Sequence, residues 1–425
     1  MEKVYDVCVV GAGMAGRLMA LALDHCGLSV VQIDRTPPRT PVTDGRTTAL
    51  AYASVRLFRR LGLWDALEPK AEAITDIVVS NGSPRDRFRP GGLTGGQLHF
   101  PAGLLAEGPR PQDEPALGYI VENADIIAAL QDGGLRSGIT HRFGAHVTGY
   151  SAGPEDGAGT VTLSDGDAVR ARLVVACDGK ASPLRSLMNI PVLSWRYRQT
   201  AIVFNIAHDK PHHGIAHEVF YPDGPFAILP MRDNHCSIVW TETARTARSY
   251  LALDEGAFLR AARERVGDHL GAISLASPRQ SYPLSLLFAR RLTAERFVLA
   301  GDAARGIHPI AGQGFNLGVK DIAALADVLA EARATGLDIG HGTVLDRYDR
   351  WRRFDGTSLA MGTDILNRLF SNGFGPLKHA RGLGLGLVQQ SDTARRFFIR
   401  ASGADLGRLP ALMQPLDPGA SRATP

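Results

Sequence analysis

The residues best placed to do chemistry in this chain are glycines and three acids. Gly11-Ala12-Gly13-Met14-Ala15-Gly16 forms a G-x-G-x-x-G run, and Asp34 lies 23 residues after Gly11. Glycine at these positions allows a tight turn at Gly11, close approach of a pyrophosphate at Gly13, and helix-on-strand packing at Gly16. The acid is then placed for ribose hydroxyls. A second stretch, GDAARGIHPIAGQGFNLG, runs from Gly301 to Gly318. In it Asp302 precedes Gly306, Gly312, Gly314 and Gly318 at a helix entrance, where backbone N–H groups can bind an electron-rich, partly anionic group. Asp178-Gly179, inside CDGKASPLR, repeats the pairing of an acid with a glycine. His308, followed by Pro309, is the one polar side chain beside this loop suited to the chemistry, or else a residue that orders the loop.

Each of these pieces needs a strand that ends where it begins. Tyr5 to Val10 reads as a buried parallel strand, Met14 to His25 as a helix that Gly27 can close, and Leu28 to Ile33 as a second strand ending at Asp34. Leu173 to Cys177 and Phe297 to Ala300 are further apolar strands, ended by Asp178-Gly179 and Gly301. In an open α/β sheet, ligands collect at such carboxyl ends. Leu317, Ile322, Leu325, Val328 and Leu329 continue the last stretch as a long helix. In the block from Thr43 to Leu67, Ala51, Val55, Phe58 and Leu61 share a helical face. Arg46, just ahead of it, is either a phosphate contact or a solvated loop residue.

Ile74 to Ser80 predicts a strand, followed by a Gly/Pro/Arg-rich excursion to about Pro115, then Gly118 to Asn123 leading into a helix from Ala124 to Leu130. Between Pro191 and Phe288 the texture becomes mainly antiparallel: strands over Thr200–Ile206, His217–Tyr221, Phe226–Met231, Cys236–Thr241 and Ser281–Leu287, with one helix over Asp254–Val266. After Gly336 the chain reads as helical, with an amphipathic basic region from Met361 to Arg400 and a frayed tail after about Gly403. The partition expected is a discontinuous dinucleotide domain (1–75, 113–190, 288–345), a β domain (76–112, 191–287) that supplies a lid and substrate wall, and a helical C-terminal region (346–425).

At 425 residues, 44% apolar and 21% charged, the chain can bury a sizeable core. Its net charge of +4 and lack of a Lys/Arg block give no reason to expect nucleic acid. The four cysteines form no C-x-x-C pair and read as reduced buried thiols, and no metal is expected. The N-terminus begins a strand, so a cleaved leader is not expected. No window reaches ~18 uninterrupted apolar residues.

The chain carries one dinucleotide fingerprint. Gly382 to Gly386 is not a second, having no strand before it and no acid after it. One firmly held dinucleotide without a second nucleotide fold suggests FAD, with a pyridine nucleotide visiting transiently. GAGMAG, CDGKASPLR and GDAARGIHPIAGQGFNLG together resemble the class A flavoprotein monooxygenases, the para-hydroxybenzoate hydroxylase fold group. DGRTTALAYASVRLFRRLGLWDAL, LGYIVEN, GPFAILPM with SIVW, and HPIAGQGFNLG resemble the UbiH-like hydroxylases of ubiquinone biosynthesis, over nearly the whole chain from Val4 to Gly403.

That resemblance implies an α/β fold: a Rossmann-like FAD-binding domain with an inserted, mainly antiparallel β substrate domain and a helical C-terminal region. It implies that Gly11, Gly13, Met14, Ala15, Gly16 and Asp34 hold the ADP half of FAD, and that Arg46 meets the pyrophosphate–ribityl region. Asn123 occupies a position where relatives contact FAD through arginine. Asp178 belongs to a motif tied to FAD and NAD(P)H. Gly301 and Asp302 would bind the ribityl chain, while Pro309 and the backbone of Gly312, Gln313, Gly314, Phe315 and Asn316 would flank the isoalloxazine ring. Arg305 departs from the family, which often has histidine or glutamine there.

The implied reaction is NAD(P)H reduction of FAD, addition of O2 to give a C4a-hydroperoxide, and hydroxylation of a polyprenylphenol, with the 2-polyprenyl-6-methoxyphenol step favoured over C5 or C6 alternatives. Readings from other classes are a flavin-dependent reductase or oxidase and a non-catalytic scaffold of the quinone-synthesis assembly. A prenylated substrate implies a cytoplasmic protein peripheral to the inner face of the membrane, with the region from Met361 to Arg400 contacting lipid, contacting other ubiquinone-biosynthesis proteins, or covering the FAD domain.

Overall fold

The computed structural model describes residues 3–37, 45–81, 97–105, 116–153, 157–307, 313–353, 387–405 and 407–415. Its first sheet is built from short apolar strands covered on both faces. β1 (Val4–Val10) lies between β2 (Val30–Asp34) and β11 (Ala168–Ala176), parallel to both. β8 (Thr140–Phe143) extends it in parallel beyond β2, and β19 (Phe297–Leu299) beyond β11. Val7, Cys8 and Val9 have no exposure, as the centre of a doubly covered parallel sheet requires. The hairpin of β9 (Val147–Ser151) and β10 (Gly159–Leu163), absent from the sequence reading, returns antiparallel onto β11, and β18 (Thr293–Ala294) closes the β19 edge. Helices α1 (Met14–His25), α2 (Tyr52–Arg60), α3 (Asn123–Leu135) and α6 (Gln313–Ala334) share the large core around this sheet.

A small antiparallel sheet, β3 (Thr47–Ala51), β7 (Gly118–Glu122) and β4 (Glu72–Ile74), adjoins it. The strand expected from Ile74 to Ser80 is two strands in different sheets. Thr75 is the crossing point; its N–H donates to Gly214 O at 3.0 Å and its carbonyl accepts from Ala102 N at 2.8 Å. Beyond it, β5 (Asp76–Asn81) joins a nine-stranded sheet with β6 (Gln97–Pro101), β12 (Val192–His208), β13 (Ile215–Tyr221), β14 (Gly224–Met231), β15 (His235–Thr243), β16 (Ile273–Leu275), β17 (Gln280–Ala289) and β20 (Arg305–Gly306).

The back of this sheet carries a second core. Ile202, Phe204, Val219, Phe226, Ile228, Ile238 and Trp240 alternate along their strands and pack on α4 (Ala244–Leu251) and α5 (Glu255–Val266). Trp240 has no exposure, lies 4.2 Å from the Tyr250 ring, and donates from Nε1 to Glu242 Oε1 at 2.8 Å. α5 is capped by Asp254, whose carboxylate accepts from Ala257 N at 2.8 Å.

The tail expected to fray after Gly403 packs instead through residue 415. Met413 is fully buried, Arg56 Nη1 donates to its carbonyl at 3.2 Å, and Ala411 N donates to Asp327 Oδ2 at 2.7 Å. Residues 416–425, the glycines from Gly382 to Gly386 and most of the basic region from Met361 lie outside the described residues.

Arg305 has a structural explanation. It is buried, bonded through Nη2 to Asp321 of α6 and through Nη1 to Arg352 O at 2.8 Å. Asp321, with no exposure, also accepts from Arg352 Nε at 2.7 Å. One carboxylate therefore holds two guanidinium groups and joins β20, α6 and the helix over 342–353. Removing one partner of a buried ionic cluster leaves charge without compensation. Asp321→Ala is expected to destabilise the protein by about 3–5 kcal/mol, read as a lower urea midpoint; a midpoint unchanged from the parent would contradict this account.

Candidate functional site

Three strand ends are brought level by backbone hydrogen bonds. Cys177 N donates to Val10 O at 2.7 Å, Ala300 N to Ala176 O at 3.0 Å, and Gly11 N to Ile33 O at 2.8 Å. The Gly11–Gly16 loop, the Asp178 loop and the Gly301–Asp302 turn consequently leave the sheet side by side. Glycine is required where backbone meets backbone: a Cβ on Gly16 would stand 2.1 Å from Gly11 O, and one on Gly11, at φ +113°, 2.4 Å from Cys177 O. At Gly13 a Cβ would meet nothing within 4 Å.

Side chains fix this loop from behind. Asp34 Oδ2 accepts from Ala12 N at 2.5 Å and Oδ1 from Thr36 N at 2.7 Å. Gln32 Nε2 donates to Gly11 O at 3.0 Å, and Arg17 Nε to Ala12 O at 2.7 Å. The N-terminus of α1 carries no side-chain cap, so its first-turn N–H groups stay available to a ligand. Asp178 Oδ2 accepts from Leu184 N at 3.1 Å, while its Oδ1 is buried without a partner and burial raises its pKa. Arg185 ties two of the loops, donating to Ala303 O at 2.8 Å and Lys180 O at 2.9 Å.

In front of these loops lies a cavity of about 470 Å3. Gly13, Met14, Ala15, Arg46, Asn123, Gly301, Asp302, Gly314 and Phe315 all line it. Gly11, Gly16, Asp34, Asp178 and Asn316 are not among its walls. The Asn316 side chain is turned to β3, accepting from Ala51 N at 2.9 Å and donating to Ala49 O at 2.7 Å, so it anchors the start of α6. Asn123 accepts from Thr48 Oγ1 at 2.6 Å, and its N–H donates to Arg46 O at 2.9 Å, which sets the Arg46 backbone. His308, Pro309 and Gly312 lie outside the described residues, as does the side chain of Gln313.

Asp302 is surrounded by protein yet exposed to the cavity. Burial raises its pKa, and the nearby charges of Lys180 and Arg46 oppose that rise. Lys180, which the sequence reading passed over inside CDGKASPLR, lines the cavity and donates from Nζ to Ser285 O at 2.8 Å. Arg46 stands 5.3 Å from the centre of the Tyr282 ring. The opposite wall is the front of the nine-stranded sheet: Ala201 and Val203, Pro225, Ala227 and Leu229, Val239, and Leu284, with Glu218, Ser237 and Thr241 among them. On β14 Leu229 faces the cavity, whereas Phe226 is in the core behind the sheet; Phe220 and Leu286 to Phe288 do not line the cavity. Residues 226 and 229 are an odd number apart, so a strand must turn them to opposite faces.

Comparison with known proteins gives this cavity a context. A family profile described as "FAD binding domain" matches residues 4–361. The chain is 41% identical to ubiquinone hydroxylase UbiL of Rhodospirillum rubrum, over 94% of this chain and 89% of that protein. It is 30% identical to 3-demethoxyubiquinol 3-hydroxylase of Escherichia coli, over 92% and 96%. Its fold superposes on p-nitrophenol 4-monooxygenase PnpA of Pseudomonas putida with a TM-score of 0.77 at 20% identity, covering 96% of this chain and all of that one.

The glycine packing separates two effects. Gly16→Ala is expected to destabilise the protein by about 1–3 kcal/mol or more, whereas Gly13→Ala should shift stability by less than about 0.5 kcal/mol. Urea midpoints of the FAD-free proteins measure both, and equal shifts would contradict the contact between Gly16 and Gly11.

Proposed function

Because this chain belongs to the FAD-binding-domain family and is an FAD-dependent aromatic monooxygenase, we propose that it hydroxylates the ring of a polyprenylphenol in ubiquinone biosynthesis, at the 2-polyprenyl-6-methoxyphenol step. The observation that carries this reading is the two-sided cavity. Its strand-end wall offers a helix N-terminus, an acid and two cations; its sheet wall offers small apolar side chains. The names of the ubiquinone hydroxylases it resembles support the substrate class. The name of the Escherichia coli relative favours a second reading, in which another carbon of the same ring is hydroxylated.

The residues fit FAD. Open space over Gly13 and the uncapped start of α1 suit an anionic group, and Asp302, which lines the cavity, suits hydroxyl donors. In this reading Met14 and Ala15 N–H groups receive the pyrophosphate, and the free lone pairs of Asp34 accept ribose hydroxyls. Asp302 accepts from the ribityl chain, with Arg46 and Lys180 opposing the rise that burial gives its pKa. Gly314 and Phe315 flank the ring, and Asn123 acts through the Arg46 loop. Bound FAD supplies O2 activation with electrons from NAD(P)H. The protein's own contribution is to orient the phenol, exclude water and hold charge.

Among the described residues no helix is long and apolar enough to cross a membrane. For a prenylated substrate, α7 (Asp392–Ser402) is suited to peripheral membrane contact: Phe397 is 56% and Phe398 41% exposed beside Arg396 and Arg400. Replacing both phenylalanines with aspartate is expected to reduce sedimentation with anionic vesicles; unchanged sedimentation would remove α7 from this role.

The reaction class is tested by giving FAD-loaded protein NADPH, 18O2 and a short-chain 2-prenyl-6-methoxyphenol. One 18O atom in the ring product is expected, and NADPH oxidation without it would assign the protein to the reductases or oxidases. Asp302→Ala is expected to weaken FAD by roughly one to two decades, the loss of one charge-assisted hydrogen bond. Titration with FAD measures this, and wild-type affinity would exclude the ribityl contact.

A further inference from the structure

Among the described residues, Glu218 is the one acid on the sheet wall of the cavity. Along β13 it alternates with His217 and Val219, which face the rear core side, so its carboxyl points forward. Its register neighbours are Ala227 on β14 and Val79 on β5, neither of which can hydrogen-bond it through a side chain. Across the sheet the same row continues through Val239 and Val203, all small and apolar. No hydrogen bond or ion pair holds the carboxyl among the described residues. Burial alone raises its pKa, to about 7, and no charged group from β5, β14 or the facing wall contributes. Ser237 and Thr241, on the same wall, have buried hydroxyls that also lack partners. A carboxyl placed in an apolar wall without a partner loses hydration and gains nothing from the protein, which is a state that a ligand donor would relieve.

We infer that Glu218 is a catalytic residue that accepts the phenolic O–H of the ring substrate and takes its proton during hydroxylation. The inference rests on the phenol substrate of the preceding reading for the identity of the donor. As the ring carbon attacks the oxygen delivered from O2, the phenolic O–H bond breaks, its proton passes to the Glu218 carboxylate, and the freed electron pair enters the ring. The ring then carries a carbonyl where the phenol was and a tetrahedral carbon bearing H and OH. Loss of that C–H proton to water restores aromaticity, while Glu218 returns its proton to the carbonyl oxygen. The carboxyl ends as it began. The two electrons come from NAD(P)H, and the second oxygen atom leaves as water. A base that titrates near neutrality is suited to this exchange, since it can both take and return the proton.

The test compares FAD-loaded wild type, Glu218→Gln and Glu218→Leu, each checked for equal flavin content. Binding of a geranyl-bearing 2-methoxyphenol and of its methyl ether is read from the change in flavin absorbance. Wild type is expected to prefer the phenol by about tenfold or more at pH 8, with the preference falling as pH drops through about 7 and the carboxylate gains a proton. In Glu218→Leu the preference should vanish, and in Glu218→Gln it should be weaker and independent of pH. Turnover in Glu218→Gln should fall by roughly a hundredfold, with NADPH oxidation diverted to hydrogen peroxide. Equal preferences in all three proteins would overturn the assignment, even if the phenol is hydroxylated. A Glu218-dependent preference in a protein that hydroxylates nothing would support the phenol acceptor and overturn the substrate reading instead.

Discussion

Everything in the cavity depends on how closely three backbone segments can approach one another at the ends of β1, β11 and β19. Gly16 lies where an added carbon would be 2.1 Å from Gly11 O, and Gly11 is equally confined by Cys177 O. That closeness is steric and admits no side chain. It brings the N-terminus of α1 beside the Asp178 and Asp302 loops, and Arg185 then locks those loops together through two carbonyls. The triad of Arg305, Asp321 and Arg352 does the same from below, fixing α6 against β20. A site held in this way is preorganised: its polar groups already face inward and need little reordering when a ligand arrives.

The two walls have opposite electrostatic characters. On the strand-end side, Asp302 shares its surroundings with Lys180 and Arg46, so its charge is balanced even though burial works against it. On the sheet side Glu218 has no such company, and burial acts alone. Burial raises both carboxyls of this one cavity, but only Asp302 has cations beside it that oppose the rise.

Much of this was legible in the sequence because the signals were local. The strand, glycine run, helix, strand and acid around Gly11 and Asp34 came out within two residues of the observed bounds, since each element carries its own start and stop. The strand pair split at Thr75 was not legible. No glycine or proline interrupts its residues, and only tertiary pairing assigns Glu72–Ile74 and Asp76–Asn81 to different sheets. Asn316 entered the expected flavin cradle only through its backbone; its side chain bonds β3, a partner 265 residues away that no spacing rule reveals. The tail after Gly403 was misread from composition, because burial of Leu412 and Met413 outweighs a Pro/Gly-rich surround. Glu218 left a usable trace: an acid between His217 and Val219, inside a strand otherwise suited to a core.

The period-two alternation of the nine-stranded sheet has a consequence for how such a protein can change. Trp240, Phe204 and Phe226 belong to one face, and Ala201, Val203, Ala227 and Val239 to the other. Each strand thus carries two nearly independent inheritances, one concerned with staying folded and one with what is admitted to the cavity. Lineages can exchange the small residues of the front face, and with them the shape of ring that fits, without disturbing the aromatic packing behind. A single scaffold is in this way open to new substrates at every second residue.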